Sequence, residues 1–270
     1  MEQNNNLSDW CKWLEKNFSP EIMIPTLPVI IRLDGNNFHN WTKGIEPFSD
    51  DLRQLMIDTT KHLVKETNAI VGYTQSDEIT LILYSEDRNS LIYHNGKKQK
   101  ILSKLTGVCV NYFNERRKEL LPNHNKLANF DCRIYQTPSL HDATLQLLWR
   151  ENDATKNSIF SLAHTLFSTK ELHGLTGNQM QDKMMLEKGV NWNDLPVRQK
   201  RGTYVKRIIT SKSFTTEELD SLPVKHKARQ NPELTIERSI IQEVEYPIFN
   251  TIKNKTEVIF FDELPKTNIL

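Results

Sequence analysis

The chain has 270 residues, 37% hydrophobic and 26% charged, which allows a sizeable core in one large or two closely joined domains and argues against disorder. Lys and Arg number 35 against 34 Asp and Glu, a formal net charge of +1, so any affinity for nucleic acid has to come from local patches. Three cysteines, Cys11, Cys109 and Cys132, include no CxxC pair and are odd in number, which speaks against a disulfide framework or a structural zinc site and points to a reducing compartment.

The opening MEQNNNLSDWCKWLEKNFSP carries no basic stretch followed by an apolar one, and no apolar run is long enough to cross a bilayer. The expectation is a soluble, cytoplasmic protein with no membrane partner. Residues 28–33 (PVIIRL) are a continuous apolar, β-branched run that reads as a central strand, ending at Asp34-Gly35. Ser49 can then cap a helix whose first turn holds Asp50 and Asp51 and whose apolar positions recur at Leu52, Leu55, Met56 and Leu63. In AIVGYTQSDEITLILY, two β-prone runs flank a polar tip, Gln75-Ser76-Asp77-Glu78, which reads as a hairpin.

The next segment, QKILSKLTGVCVNYFNERRKEL, places Leu102, Leu105, Cys109, Tyr112 and Phe113 on one helical stripe and Lys100 and Lys104 on another, one turn apart. Residues 131–137 read as a further strand ended by Pro138, and Asp153 as the cap of a helix bearing Ile159, Leu162, Ala163, Leu166 and Phe167. Thr176 and Gln179 fit a capping box, with Gly189 closing that helix. Short β-like runs, TYVKRIIT and SIIQEVEY, follow. Strands interspersed with helices, without a regular βαβα alternation, predict an α+β class. The division expected is residues 1–145 as a core and residues 146–270 as a C-terminal region packed on it.

Asp34 ends one predicted strand and Asp77 sits at a hairpin tip, so neighbouring strands would bring the two carboxylates to one point. Two carboxylates and a backbone carbonyl are hard oxygen ligands of the kind Mg²⁺ takes, with water and substrate phosphates completing its shell. Two such ions suit in-line phosphoryl or nucleotidyl transfer. Gly35 and the open loop after it could bring backbone N–H groups to a triphosphate, and Lys100 and Lys104 could neutralise its charge.

The ordered set RLDGNNFH (32–39), YTQSDE (73–78), SKL (103–105), LLWRENDATKNS (147–158), LHGLTGNQ and LPVRQKRGTYVKR resembles the tRNA-histidine guanylyltransferase superfamily, reverse polymerases that add nucleotides in the 3′-to-5′ direction. The resemblance implies a polymerase palm-like (ferredoxin-like) antiparallel sheet with flanking helices, two Mg²⁺ ions, and a homotetramer built as a dimer of dimers. It implies Asp34, Gly35 and Asp77 as metal ligands, with Glu78 as a supporting acidic catalytic residue. Asn36, Asn37, Phe38, His39 and Ser76 match nucleotide-site positions, Lys104 matches a triphosphate-binding lysine, and Lys100 a further basic position. Asn157, Lys200 and Arg201 are the expected tRNA contacts. The family activates a 5′-monophosphorylated tRNA with ATP or GTP, and the 3′-hydroxyl of an incoming nucleoside triphosphate then attacks.

Two departures stand out. Thr155, Lys156, Asn157 and Ser158 occupy the place of the family's His-Ile-Asn-Asn motif, keeping only the first Asn, so the chain looks more like the Thg-like branch that rebuilds truncated tRNA 5′ ends. Ser49 stands where the family has an acidic residue. Rival readings are an inactive RNA-binding protein of the same fold, using Arg116-Arg117-Lys118, the Arg198–Arg207 segment or Lys225–Arg229, and a palm-fold nucleotidyl cyclase.

Overall fold

The computed structural model describes residues 21–231 and 233–267; Cys11 and the opening segment lie outside them. In chain order the elements are β1 (Val29–Gly35), the one-turn α1 (Phe38–Trp41), α2 (Asp50–Thr67), β2 (Val71–Gln75), β3 (Glu78–Leu83), α3 (Lys98–Leu120), β4 (Phe130–Gln136), α4 (Leu140–Leu166), α5 (Thr169–Leu172), α6 (Gly177–Lys188), α7 (Val197–Arg201), β5 (Thr203–Ser213), α8 (Thr216–Ser221), α9 (Lys227–Gln230), β6 (Thr235–Val244) and α10 (Lys255–Phe260). Six strands form one sheet in the order β4-β1-β3-β2-β5-β6, antiparallel at every pairing. This is the expected α+β class.

The strand period of two sorts β1 onto two cores. Val29, Ile31 and Leu33 pack with Leu55, Leu63, Leu105, Cys109 and Phe113, so α2 and α3 cover one face. Ile30 packs with Ala143, Leu147, Tyr204, Phe249 and Val258, so α4 and the C-terminal segment cover the other. Each fully buried Leu, Ile or Phe contributes about 1.5–3 kcal/mol relative to exposure. A third cluster, with Ile159, Phe167, Met180, Met184 and Trp192, joins the distal half of α4 to α6.

Several caps follow the sequence. Ser49 accepts from the Leu52 N–H at 3.3 Å, Thr176 and Gln179 form the capping box of α6, and Gly189 closes it in the left-handed conformation. Asp153, however, lies inside α4, a 27-residue helix capped at Ser139, whose Oγ accepts from the Asp142 N–H at 3.0 Å. It ion-pairs with Arg150 one turn earlier instead of capping. The boundary expected at residue 145 falls within α4, and β5 pairs directly with β2 in the same sheet. Among the described residues no helix is long and apolar enough to cross a membrane.

Candidate active site

The site forms where β1 runs into the β2–β3 hairpin. The pairing of Gln75 with Glu78 leaves Ser76 and Asp77 as a two-residue connection, with Ser76 at φ 49°. The Gly35 N–H donates to the Asp77 carbonyl at 3.1 Å, fixing the end of β1 on the hairpin tip. A side chain at Gly35 would place its Cβ 2.4 Å from the Phe38 ring and 3.0 Å from the Asp77 Cβ, so only glycine permits this approach. In register, Asp34 lies opposite Glu78 on one side and Asp131 on the other.

Burial pushes the Asp77 carboxyl above the usual carboxylate range; its own backbone N–H and the Ser76 hydroxyl oppose the shift, and nearby Asp34 adds to it. No cationic side chain is among the groups acting on Asp77. Two mutually repelling carboxylates, of which Asp77 has no cationic side chain acting on it, are a donor set suited to a divalent ion. No cluster of three or more His, Cys, Asp or Glu side chains placed to hold a metal exists among the described residues. A carboxylate pair is the protein share of a Mg²⁺ shell, whose remaining ligands are water and phosphates.

Glu78 behaves differently from its neighbour. Its side chain is 8% exposed, accepts from Arg150 Nη1 at 2.8 Å and lies 3.8 Å from Arg32 Nε. Burial raises its pKa, Arg150 and Arg32 oppose this, and Asp34 raises it further. Its carboxylate is bonded to Arg150 and faced by Arg32 only at longer range, which sets it apart from the Asp34–Asp77 pair.

After Gly35 the chain opens. Asn36, Asn37 and His39 are exposed, and Asn37 takes φ 53° to start α1. Phe38 is the exception to the expected nucleotide-contacting loop: its side chain is buried, stacked on Trp41 at 4.6 Å and against Phe113 at 6.0 Å. Phe38 nevertheless lines the cavity that adjoins this loop, at its floor, where the ring joins the core. This cavity, of about 520 Å³, is also lined by His39, Ser49, Arg53, Gln75, Ser76, Asn157, His164 and Arg198 among others. This volume lies in the range of small-molecule sites.

The structure does not bring Lys100 and Lys104 to the carboxylates within the chain. Both are exposed near the N-terminus of α3, on the sheet face opposite Asp34, whereas the C-terminal part of α3 reaches the site through Phe113. At 1.5 Å per residue, Lys104 lies about 13 Å and Lys100 about 20 Å along the helix from Phe113. Lys200 is also corrected: it is 8% exposed, and its Nζ donates to the Asn193 carbonyl at 2.6 Å. Arg201 is partly exposed, with its guanidinium 5.7 Å from the Trp192 ring centroid, and Asn157 lines the cavity. The basic run Arg116-Arg117-Lys118 is no free patch, since Arg116 pairs with Asp58 and Glu119, Arg117 is buried, and Lys118 pairs with Glu115. Lys206 is 3% exposed and bound to the Val258 and Ile259 carbonyls.

Sequence reasoning missed Arg32, Arg53 and Arg150, and took Arg198 only as part of a basic segment, not as a lining residue of this cavity. For Arg32 a signal was present, because two residues before Asp34 on a strand means the same face.

Residues 11–138 match the family model described as Thg1: tRNAHis guanylyltransferase. A bacterial tRNA(His) guanylyltransferase (Thg1)-like protein solved in complex with ATP is 37% identical, with a TM-score of 0.70 over 74% of this chain and 88% of that one. A structure of such a bacterial protein in complex with GTP is 30% identical, with a TM-score of 0.70 over 96% of this chain and 99% of that one. The tRNA(His) guanylyltransferase of Saccharomyces cerevisiae is 25% identical over 206 residues, 69% of this chain and 85% of that protein. With its architecture matched over nearly its whole length, the chain belongs to the tRNAHis guanylyltransferase (Thg1) family.

Proposed function

We propose that the protein is a template-dependent 3′-to-5′ nucleotidyltransferase that activates tRNA 5′ ends with ATP or GTP and adds nucleotides to them. The observation that carries this reading is the approach of Asp34 and Asp77 beside a cavity of about 520 Å³, in a chain of this family. The antiparallel sheet, with one carboxylate at a strand end and the other on the adjoining hairpin, supports a palm-like description.

The chain's own residues divide the work. Asp34 and Asp77, with the Gly35 carbonyl, would hold two Mg²⁺ ions. When bound, these ions would supply charge neutralisation of the phosphates and a lowered pKa for the attacking hydroxyl. The backbone N–H groups of Asn37, Phe38 and His39 have no acceptor among the described residues, whereas those of Asn36, Asn40 and Trp41 are already bonded, and these three can donate to phosphate oxygens. Asn157, His39 and Ser76 line the walls in which the nucleoside sits. Arg150 and Arg32 fix the position of Glu78, the register partner of Asp34, and so support the carboxylate pair.

Repair of truncated 5′ ends is favoured over guanylate addition to histidine tRNA alone, because Thr155, Lys156 and Ser158 depart from the His-Ile-Asn-Asn motif. A cytoplasmic homotetramer, with Arg201 contacting tRNA, completes the proposal. The test offers purified protein, Mg²⁺, ATP and GTP with either intact histidine tRNA or a 5′-truncated, 5′-monophosphorylated tRNA. Extension of the truncated acceptor is expected; incorporation into neither acceptor would refute the reading.

A further inference from the structure

Beside Asp34, on the sheet face covered by α4, lies a small surface that the nucleotide cavity does not include. Trp149 is 48% exposed, with the Arg150 guanidinium 3.8 Å and the Arg32 guanidinium 5.5 Å from its ring centroid. Tyr135, 36% exposed on the edge strand β4, donates from its hydroxyl to Gln146 Oε1 at 2.9 Å, one turn before Trp149. Arg32 and Arg150 both lie close enough to lower the Tyr135 pKa against the burial that raises it. The Arg32 guanidinium makes no hydrogen bond among the described residues; its Nε is buried without a partner, with the Glu78 carboxylate 3.8 Å away, which leaves its terminal N–H groups to a ligand. A guanidinium with unused N–H groups next to an exposed indole is a combination that recognises a phosphate and a base together.

Trp149 and Asn157, which lines the cavity, are eight residues apart on α4, about 12 Å. Between them Arg150 grips Glu78, the register partner of Asp34. Glu78 is thus held from a point on α4 between the cavity-lining Asn157 and the exposed Trp149.

We infer that Trp149, Tyr135 and Arg32 form the subsite for the 5′-terminal nucleotide of the RNA acceptor, its base stacked on the Trp149 ring and its 5′ phosphate against the Arg32 guanidinium. This rests on the proposed action on RNA 5′ ends. RNA is the occupant rather than a second copy of the chain because the surface pairs unused cationic donors with a π-face and opens beside the carboxylates. A protein partner seated there would block the approach of an acceptor.

The test is equilibrium binding of a 5′-monophosphorylated acceptor-stem RNA, and of its 5′-hydroxyl counterpart, to the full chain without Mg²⁺ or triphosphate. W149L is expected to weaken binding of both RNAs about tenfold, with W149F restoring most of the loss, because a ring but not an alkyl group stacks on a base. R32M is expected to weaken the phosphorylated RNA alone. Affinity for GTP, measured separately with Mg²⁺, should be unchanged in both Trp149 variants. Wild-type RNA affinity in W149L and R32M would overturn the inference. So would an altered oligomeric state in W149L with RNA affinity intact, which would make the surface a contact between copies. A wild-type protein that binds RNA through Trp149 but incorporates no nucleotide would contradict the proposed function and leave the subsite standing.

Discussion

Arg150 Nη1 donates to Glu78 Oε2 at 2.8 Å, tying α4 to the first residue of β3, immediately after Asp77. Both side chains are 8% exposed, so the pair is shielded from water. Substituting Arg150→Met would leave Glu78 with the longer Arg32 contact and the Thr80 hydroxyl at 3.5 Å, and breaking a buried pair from one side costs about 3–5 kcal/mol. Urea unfolding of R150M should show this loss, and E78Q, which leaves the buried Arg150 guanidinium its Asp153 partner, should lose less.

Asp34→Asn and Asp77→Asn should each lower nucleotide incorporation by at least about 10²-fold, the scale of removing one preorganised electrostatic contact. Asp77 is repelled by Asp34 and raised by burial, so D77N removes an unfavourable charge from the folded chain. Its melting temperature should equal or exceed that of the wild type. Thermal unfolding and an extension assay on the same preparation check both halves.

Gly35→Ala introduces a Cβ 2.4 Å from the Phe38 ring, which is held against Trp41 and Phe113 and has little room to move. Overpacking of this kind costs about 1–3 kcal/mol. It should also displace the end of β1 from the Asp77 carbonyl, so incorporation falls as well as stability. Denaturant unfolding and initial rates would measure the two effects.

Glu151 is buried in α4, where it accepts from the Tyr204 hydroxyl at 2.9 Å and from the Phe249 N–H at 2.8 Å. Burial raises its pKa above the ordinary 4.5, and these two hydrogen bonds only partly oppose the shift. A carboxyl raised on folding binds its proton more tightly in the folded state. Its stabilising contribution is therefore fully present below pH 4.5 and is lost as pH rises through the folded value. The stability of the wild type relative to E151Q should decline across that window, as read by urea unfolding at a series of pH values. A difference independent of pH would contradict the assignment.

Much of this was legible in the sequence because local chemistry dictated it. The β-branched run into Asp34-Gly35, the Ser-Asp hairpin tip and the Thr176–Gln179 capping box each specify their own geometry within a few residues. Asp153 was misleading because a residue that can cap a helix can equally extend one, and the signal at Ser139 lay fourteen residues earlier. Lys100 and Lys104 share a helical stripe, but which end of the sheet α3 offers to the site is a tertiary matter. Lys200 reads as a phosphate contact in a basic segment, yet the turn at Trp192–Asp194 supplies carbonyl oxygen to its Nζ, and no spacing rule reports that. Arg150 lies far from Glu78 in sequence, so their pairing emerges only when α4 crosses β3.

The most direct measurement of the central claim is an electron paramagnetic resonance titration of Mn²⁺, a spin-active stand-in for Mg²⁺, into the GTP-loaded protein. The wild type should take up about two ions per chain, and D34N and D77N should each lose affinity while retaining the wild-type fold. Mn²⁺ held as tightly by both variants as by the wild type would contradict the account.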